Sequence, residues 1–253
     1  MDEAPLQDAP RHLTLLNPEQ YRAVTTTEGP LLILAGAGSG KTRVLTRRIA
    51  HVLHEGTSPE NVFAVTFTNK AAAEMKERVV ELVGSAGEKC WVSTFHSSCC
   101  RILRAEIEVL GWSKRFAIYD DDDQRRVVKG IIDDLGYDPT RIDARGILSE
   151  IDHYKNLLRT PDVLLAEQRR HDREPLIRIW KAYEEAMQAA DALDFNDLIG
   201  VTVRLFRDHP DVLAKWQDRF HYIMVDEYQD TNRAQYLLLT ALAKKHRNLA
   251  VVG

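Results

Sequence analysis

The stretch that most constrains the fold is residues 31–42, with the sequence LLILAGAGSGKT. It begins as an unbroken apolar run, typical of a strand buried on both faces of a parallel sheet, and then changes abruptly to small residues. From Arg43 onward, apolar side chains recur at the spacing of an amphipathic helix. The sequence therefore predicts a buried strand, a glycine-rich loop and a helix in direct succession, as in α/β folds.

The glycine-rich loop has the composition of a phosphate-binding site. Glycines let backbone N–H groups surround an anion, and the dipole of the following helix adds to the attraction. In loops of this pattern the lysine reaches the β- and γ-phosphates and the hydroxyl ligates Mg²⁺, roles that fall here on Lys41 and Thr42. The pattern usually begins with glycine, and here it begins with Ala35, the smallest substitution. We expect a nucleotide site at Ala35, Gly36, Ala37, Gly38, Ser39, Gly40, Lys41 and Thr42.

A second apolar run, residues 222–225, ends in the two carboxylates Asp226 and Glu227. The pattern is weak by itself because it is common by chance. Together with the glycine-rich loop it indicates one Mg²⁺–nucleotide site assembled from two distant parts of the sequence. Asp226 is expected to complete the Mg²⁺ coordination, and Glu227 to orient or deprotonate the attacking water.

Two further strand-like runs, residues 62–67 and 91–95, end in aromatic and polar residues. An aromatic ring beside hydrogen-bonding groups suits a single strand of nucleic acid, whose bases stack on the ring. A buried phenylalanine and an asparagine helix cap explain the first run equally well, and a structural histidine is the simpler explanation of the second. The candidate residues for contact with nucleic acid are Phe67, Thr68, Asn69, Thr94 and His96.

The N-terminal part of the chain is predicted to begin with a disordered leader, residues 1–12, which is polar and contains proline. A short helix should follow, because Asn17 is a good N-cap and Pro18 suits the first helical position. An isolated glutamine is usually a solvated helix residue. Gln20, however, lies just ahead of the phosphate loop, and its amide can donate and accept together, so it is a candidate for reading an adenine edge.

Residues 111–214 differ in character from the rest of the chain. Strand-like runs nearly vanish, and segments such as 123–135, 147–158 and 174–190 show helical apolar spacing. The four carboxylates at 120–123 are best explained as favourable charge at a helix N-terminus. Asp194 by itself would be a helix cap beside Phe195. We predict a helical subdomain at 111–214, inserted into an α/β domain formed by residues 13–110 and 215–253.

Composition leaves the partners of the protein open. A net charge of -4 and a pI near 6.2 do not indicate a nucleic-acid-binding surface, but a local groove needs no overall positive charge. Three cysteines give neither a paired framework nor zinc spacing. The N-terminus has no signal-peptide pattern and no apolar run approaches membrane-spanning length, so we expect a cytoplasmic protein without membrane contact.

In the order of its motifs the chain resembles the first half of superfamily-one DNA helicases of the UvrD/Rep/PcrA type. The matching segments are LNPEQ at 16–20, AGAGSGKTR at 35–43, TFTNKAA at 66–72, STFHS at 93–97, LDFNDL at 193–198 and VDEYQDTN at 225–232. Tyr228 stands where phenylalanine is more usual, which keeps the ring. Six motifs in the right order are far more specific than any one of them.

The resemblance implies a RecA-like P-loop NTPase domain, with a parallel sheet flanked by helices and an inserted all-helical subdomain. It also implies ATP and Mg²⁺ as cofactors and single-stranded DNA across the tips of the strands. Gln20 and Arg43 would contact adenine, and Gln229 would couple the nucleotide site to the DNA. The residues along the DNA would be Phe67, Thr68, Asn69, Thr94, His96 and Phe195.

The function expected from this resemblance is that of the ATP- and DNA-binding half of a DNA repair or replication helicase in the bacterial cytosol. Its partners would be single-stranded DNA, junctions with duplex, repair proteins and a second motor domain. In the family that domain supplies arginines to the γ-phosphate and a ring that stacks on adenine. The alternative is a non-motor module that binds nucleotide and DNA without turnover. The aromatic-bearing loops argue against an unrelated phosphate-loop ATPase.

Overall fold

The computed structural model describes residues 10–36, 38, 40–167 and 173–253. Within these residues the strands are β1 (Leu31–Ile33), β2 (Val62–Thr66), β3 (Trp91–Thr94), β4 (Ala117–Ile118), β5 (Ala192–Leu193), β6 (Tyr222–Val225) and β7 (Asn248–Val252). The helices are α1 (Pro18–Thr25), α2 (Lys41–His54), α3 (Asn69–Val83), α4 (Ser85–Lys89), α5 (Phe95–Glu106), α6 (Asp121–Asp134), α7 (Ala144–Asn156), α8 (Pro161–Glu167), α9 (Glu174–Ala189), α10 (Phe195–Asp208), α11 (Pro210–Arg219) and α12 (Arg233–Ala243).

The chain forms two compact units. The first contains the described residues up to Phe95, together with Leu213–Thr231 and Leu239–Gly253. The second contains the described residues of His96–Val212 and Asn232–Leu238.

A five-stranded parallel sheet forms the centre of the first unit, with the order β1-β7-β6-β2-β3. Strand β2 is buried along its whole length because β6 and β3 flank it and helices cover its faces. Helices α2 and α3 pack on the sheet through apolar side chains that include Leu45, Ile49, Met75 and Val79. The predicted RecA-like α/β class is confirmed, and all five strands end at the same edge of the sheet.

Strand β1 differs from the prediction. Residues 31–34 were expected to be buried on both faces, but Leu32 is 58% exposed and Leu34 is 79% exposed. The reason is position: β1 lies at the edge of the sheet, paired only with β7 among the described strands. An apolar run predicts a strand, but it does not determine which neighbours that strand has.

The second unit is mainly helical. Its core is formed by α6, α7 and α9, with Ile132, Ile151, Trp180 and Tyr183 among the buried side chains. The short strands β4 and β5 pair in parallel within this unit, and neither was predicted from the sequence. No helix in the described part of the chain is long and apolar enough to cross a membrane.

Several helix starts follow local sequence signals. Asn17 accepts a hydrogen bond from the Gln20 N–H, and Asp120 accepts from the N–H groups of Asp122 and Asp123. Asp194 likewise caps α10 by accepting from the Asp197 N–H. The predicted roles of Asn17 and of the acidic run at 120–123 are confirmed.

The predicted boundaries differ from the structure at several places. Residues 215–253 were predicted to belong wholly to the α/β domain, but Asn232–Leu238 belongs to the helical unit, whose longer segment ends at Val212 rather than at 214. The leader was expected to extend to residue 12; residues 1–9 lie outside the described part of the chain, but His12 is buried and hydrogen-bonded to His51 at 3.1 Å. The helical unit begins at His96 rather than at 111. The physical reason is that α5 packs within that unit: the Arg104 guanidinium lies 3.8 Å from the ring centre of Phe116.

Candidate nucleotide and nucleic-acid site

The glycine-rich loop connects β1 to α2. Gly38 and Gly40 adopt positive φ angles of 77° and 87°, which glycine permits without a steric penalty. Gly40 directly precedes α2, so the N-terminal N–H groups of that helix face the loop. Ala35 does not adopt a positive φ, which explains why alanine is accepted where the pattern usually has glycine. The predicted residues Ala37 and Ser39 lie outside the described residues.

The loop is tied to the end of the neighbouring strand β7. The Ala35 N–H donates to the Gly253 carbonyl at 2.9 Å, and the Gly253 N–H donates to the Ile33 carbonyl at 3.1 Å. A Cβ atom at Gly253 would lie 3.1 Å from Oε1 of Gln229, closer than ordinary contacts allow. Gln229, the loop and the end of β7 are therefore close neighbours.

The two carboxylates predicted from the second apolar run lie opposite the loop. The Thr42 hydroxyl donates to Oδ2 of Asp226 at 3.1 Å, although the two residues are 184 positions apart. The Lys41 ammonium lies 3.5 Å from Oε2 of Glu227. Gln229 donates to the same Glu227 oxygen at 2.6 Å. Parallel topology explains this assembly, because β1 and β6 end at the same edge of the sheet.

Glu227 has a strained backbone. Its φ of 51° lies in the left-handed region, which costs a non-glycine residue about 1–3 kcal/mol, and such strained residues cluster at active sites and ligand-binding regions. The Asp226 side chain accepts from the Glu227 N–H at 3.1 Å, and the Glu227 carbonyl accepts from the Asp230 N–H at 3.0 Å. These bonds hold the exposed carboxylate of Glu227 at the end of β6.

The pKa values of the two carboxylates are shifted in opposite directions. Burial raises the pKa of Asp226, and the Glu227 charge adds to this, whereas the Thr42 hydrogen bond acts in the opposite direction. The hydrogen bond from Gln229 has the largest effect on Glu227 and lowers its pKa; desolvation opposes this shift, and the charge and hydrogen bond of Lys41 add to it. Glu227 is therefore ionised at neutral pH, as a proton acceptor must be.

The donor set fits Mg²⁺. The Thr42 hydroxyl and the Asp226 carboxylate are hard oxygen ligands that already lie within hydrogen-bond distance of each other. In the described residues no group of three or more His, Cys, Asp or Glu side chains is arranged to hold a metal ion. That observation is compatible with Mg²⁺, which commonly takes one or two protein ligands and completes its shell with water and phosphate oxygens.

Gln20 and Arg43 flank the loop. A Cβ atom at Gly40 would lie 3.4 Å from Nε2 of Gln20 and 3.7 Å from Cβ of Arg43. Oε1 of Gln20 accepts from the Asn17 N–H at 3.1 Å, which completes the capping box of α1. The Arg43 guanidinium donates to the Leu15 carbonyl at 2.7 Å. Both residues thus have structural partners and still lie beside the loop.

Four of the residues predicted to contact DNA lie in the first unit, after β2 and at the end of β3. Phe67 is half-buried, with its ring centre 5.5 Å from that of Phe95. Thr68, rather than Asn69, caps α3 by accepting from the Ala71 N–H at 3.1 Å, so the asparagine-cap alternative is wrong. Asn69 is exposed, whereas Thr94 is buried.

The other two, His96 and Phe195, stack on each other in the second unit. Their ring centres are 4.0 Å apart and the ring planes differ by 24°. Phe195 is 54% exposed, whereas the other phenylalanines of the chain are buried or half-buried. Burial lowers the pKa of His96, so its ring is neutral at pH 7. The neutral histidine gives Phe195 an aromatic support on one side.

One residue of this region was missed from the sequence. Lys155 lies at the end of α7 and contacts the carboxylates of Asp194 and Asp197 at 2.6 and 2.7 Å. The spacing of Asp194 and Asp197 was a visible signal of a capping box. No signal linked the box to a lysine about 40 positions earlier.

A RecA-like parallel sheet with a phosphate loop facing an Asp-Glu pair defines the class of P-loop nucleotide-binding domains. Within this class, the chain belongs to the UvrD/REP helicase N-terminal domain family, whose model matches residues 16–253. The match confirms the resemblance that the motifs indicated.

Two curated relatives illustrate the similarity. The chain is 49% identical over 242 residues to a Staphylococcus aureus protein named ATP-dependent DNA helicase PcrA. The matched region covers 95% of this chain and 33% of the relative. The chain is also 48% identical over 239 residues to a Staphylococcus epidermidis protein of the same name, covering 94% of this chain and 33% of the relative. The chain spans about a third of the length of these relatives.

Proposed function

We propose that the chain is the ATP- and single-stranded-DNA-binding part of an ATP-dependent DNA helicase that acts in DNA repair or replication. The observation that carries the proposal is the pairing of Thr42 with Asp226 at 3.1 Å and of Lys41 with Glu227 at 3.5 Å. These pairs bring together the phosphate-binding and the carboxylate parts of one nucleotide site. The names of the relatives, all ATP-dependent DNA helicases, support the same proposal.

The nucleotide site is proposed to work through its charged side chains. Lys41 binds the β- and γ-phosphates, and the N–H groups at the start of α2 contribute to the same anion site. Mg²⁺, held by Thr42 and Asp226, would neutralise phosphate charge when bound. The Lys41 ammonium lies 3.5 Å from the Glu227 carboxylate. Phosphate oxygens compete for that ammonium, so the Glu227 carboxylate becomes available to orient a water and accept its proton.

The DNA-binding role is proposed for residues in each unit separately. In the first unit, Phe67, Thr68, Asn69 and Thr94 follow or end strands at the edge of the sheet where open α/β sheets bind ligands. In the second, the exposed ring of Phe195 offers a face to a base and His96 supports it. Gln229 contacts Glu227 directly and is the proposed link from the nucleotide site to bound DNA.

The test of the nucleotide site is Lys41→Ala. The change removes a charge facing the loop and little packing, so we expect loss of nucleotide binding with an unchanged melting temperature. Binding of a fluorescent ATP analogue with Mg²⁺ measures the effect, and Lys89→Ala, an exposed lysine of α4, is the control. Equal nucleotide affinity in the Lys41 variant and the parent would exclude the proposed role of the loop.

The remaining alternative is a module that binds nucleotide and DNA without turnover. A second measurement distinguishes it from an ATP-hydrolysing motor. ATP hydrolysis is followed with and without oligo(dT) in a longer chain that contains residues 1–253. Stimulation by DNA that disappears with Lys41→Ala supports the motor. Binding of both ligands without DNA-stimulated turnover supports the alternative.

A further inference from the structure

The N-terminus of α10 is held by a buried lysine. The ammonium of Lys155 lies 2.6 Å from Oδ2 of Asp194, 2.7 Å from Oδ1 of Asp197 and 3.1 Å from Oε1 of Glu184. The side chain of Lys155 is 8% exposed and that of Asp194 is 1% exposed. All four residues belong to the second unit.

Each aspartate divides its two oxygens between the helix and the lysine. Oδ1 of Asp194 accepts from the Asp197 N–H at 2.8 Å, and Oδ2 of Asp197 accepts from the Asp194 N–H at 3.1 Å. These two bonds form the capping box, and Lys155 binds the remaining oxygen of each carboxylate. Tyr183 also donates to Oδ2 of Asp194, at 3.0 Å. Lys155 thus bridges both halves of the cap.

Phe195 lies in sequence between Asp194 and Asp197, the two residues of this capping box. It follows Asp194 directly, and the next residue, Asn196, donates to the Asp152 carboxylate at 2.8 Å. The backbone is therefore fixed on both sides of Phe195, while its ring projects to solvent and stacks on His96. No other apolar residue of α10 is as exposed.

Stability alone does not explain the lysine. Burial by itself would lower the pKa of Lys155, but the summed attraction of Asp197, Asp194 and Glu184 outweighs burial and raises it, so the ammonium stays charged. A buried ion pair of this kind is often no more stabilising than apolar residues of similar volume, and its best-attested benefit is a single defined arrangement. Here the ion pairs of Lys155 with Asp194 and Asp197 define the backbone position of Phe195.

We propose that Lys155 is a positioning residue for single-stranded DNA binding: by bridging Asp194 and Asp197 it fixes the N-terminus of α10 and so presents the Phe195 ring to a base. This inference rests on the proposed function, in which Phe195 stacks on DNA. Lys155 acts through the cap and does not touch the ring. Its effect on DNA binding must therefore disappear when the ring is absent.

The test is a double-mutant cycle on the 253-residue chain, with fluorescently labelled oligo(dT) as the probe. Phe195→Ala is expected to weaken binding about 5- to 150-fold, the usual effect of removing a stacking ring. Lys155→Met, which keeps an unbranched apolar stem, should weaken binding to a similar extent. In the Phe195→Ala background Lys155→Met should add less than twofold. With Phe67→Ala, a ring of the first unit, the two losses should multiply.

Two controls separate positioning from charge and from folding. Lys181→Met removes a more exposed lysine of the same unit, 41% exposed and paired with Asp162, and should leave affinity within twofold. Asp197→Ala breaks the cap but leaves Lys155 paired with Asp194 and Glu184, so we expect this variant to fold. It replaces Lys155→Met in the test if that variant does not fold. Asp197→Ala should weaken oligo(dT) binding in the parent chain. In the Phe195→Ala background it should change that affinity less than twofold.

The outcomes distinguish the two proposals. If Phe195→Ala leaves oligo(dT) affinity unchanged, the ring does not stack on DNA, and both the DNA-binding role of Phe195 and the inference fail. If Phe195→Ala weakens binding but Lys155→Met and Asp197→Ala either have no effect or remain fully effective without the ring, the proposed function stands and the positioning role is wrong.

Discussion

At the scale of single residues, both the geometry and the electrostatics of Glu227 suit the role proposed for it as a proton acceptor. Its carboxylate is exposed, its pKa is lowered by Gln229 and Lys41, and its backbone is held in the left-handed region. Asp226 is its neighbour in sequence, but burial raises its pKa and Thr42 occupies one of its oxygens. The two adjacent carboxylates thus lie in different environments, which suit the different tasks proposed for them, proton acceptance by Glu227 and metal binding by Asp226.

Glu227→Gln tests this division. The change keeps the size of the side chain and removes the proton acceptor, so nucleotide affinity should persist while ATP hydrolysis in a turnover-competent longer chain falls by roughly 10²–10⁴. Equilibrium binding of an ATP analogue and steady-state turnover measure the two effects. Asp230→Asn, an exposed neighbour that also contacts Gln229, is the control. Lost binding without a specific loss of turnover would assign Glu227 a structural role.

At the scale of elements, helix starts were the most predictable feature. Asn17 and the acidic run at 120–123 are local signals that act within one turn, and the structure confirms both. Burial of Leu32 was mispredicted because it depends on which strand lies next to β1. Lys155 was missed because its partners are 39 and 42 positions away in the chain. Contacts that depend on tertiary arrangement leave no periodic trace in one sequence.

The connection between α1 and β1 depends on one buried arginine, Arg48. Its guanidinium donates to the carbonyls of Ala23 at 2.8 Å and Thr27 at 2.9 Å, and also to that of Thr26. Arg48→Met keeps most of the packing but leaves these carbonyls without their donor. We expect the free energy of unfolding to fall by about 1–3 kcal/mol, measured by urea denaturation. Arg78→Met, at an exposed pair with Glu74, should cost less than about 0.5 kcal/mol.

The segment that precedes α1 should respond to pH through His12. Burial, together with the charges of His51, His54 and Arg47, lowers the pKa of His12 from 6.5 to about 4, while Glu55 opposes the shift. The folded state therefore favours the neutral ring. Its contribution to stability is complete above pH 6.5 and is lost as the pH falls from 6.5 toward 4, because the unfolded chain binds the proton more readily.

Melting temperatures between pH 7.5 and 4.5 test this prediction. His12→Gln places an uncharged amide near the position of Nε2, so its melting temperature should decline less than that of the parent over this interval. His153→Gln, an exposed histidine of α7, should follow the parent curve. Parallel curves for the parent and the His12 variant would show that His12 does not contribute to the pH dependence.

At the scale of the whole molecule, the proposed sites are distributed over both compact units. The nucleotide site and Phe67 belong to the first unit, and the stacked pair of His96 and Phe195 belongs to the second. A net charge of -4 gives no sign of this arrangement, because DNA contact is proposed through rings and strand ends rather than through overall positive charge. Motif order indicated the family where composition could not.

The last prediction concerns turnover by the 253 residues alone. Phosphoryl transfer in P-loop enzymes depends on charge around the γ-phosphate, and lack of an arginine finger costs a factor of roughly 10³–10⁵ in rate. The resemblance assigns these arginines to a second motor domain, and the curated relatives are about three times as long as this chain. We expect the isolated chain to bind Mg·ATP and oligo(dT) weakly and to hydrolyse ATP slowly. Parallel assays with the full-length Staphylococcus aureus relative supply the reference. Unwinding of a tailed duplex by the purified chain with ATP, and with no second polypeptide present, would show that the required arginines lie within these residues.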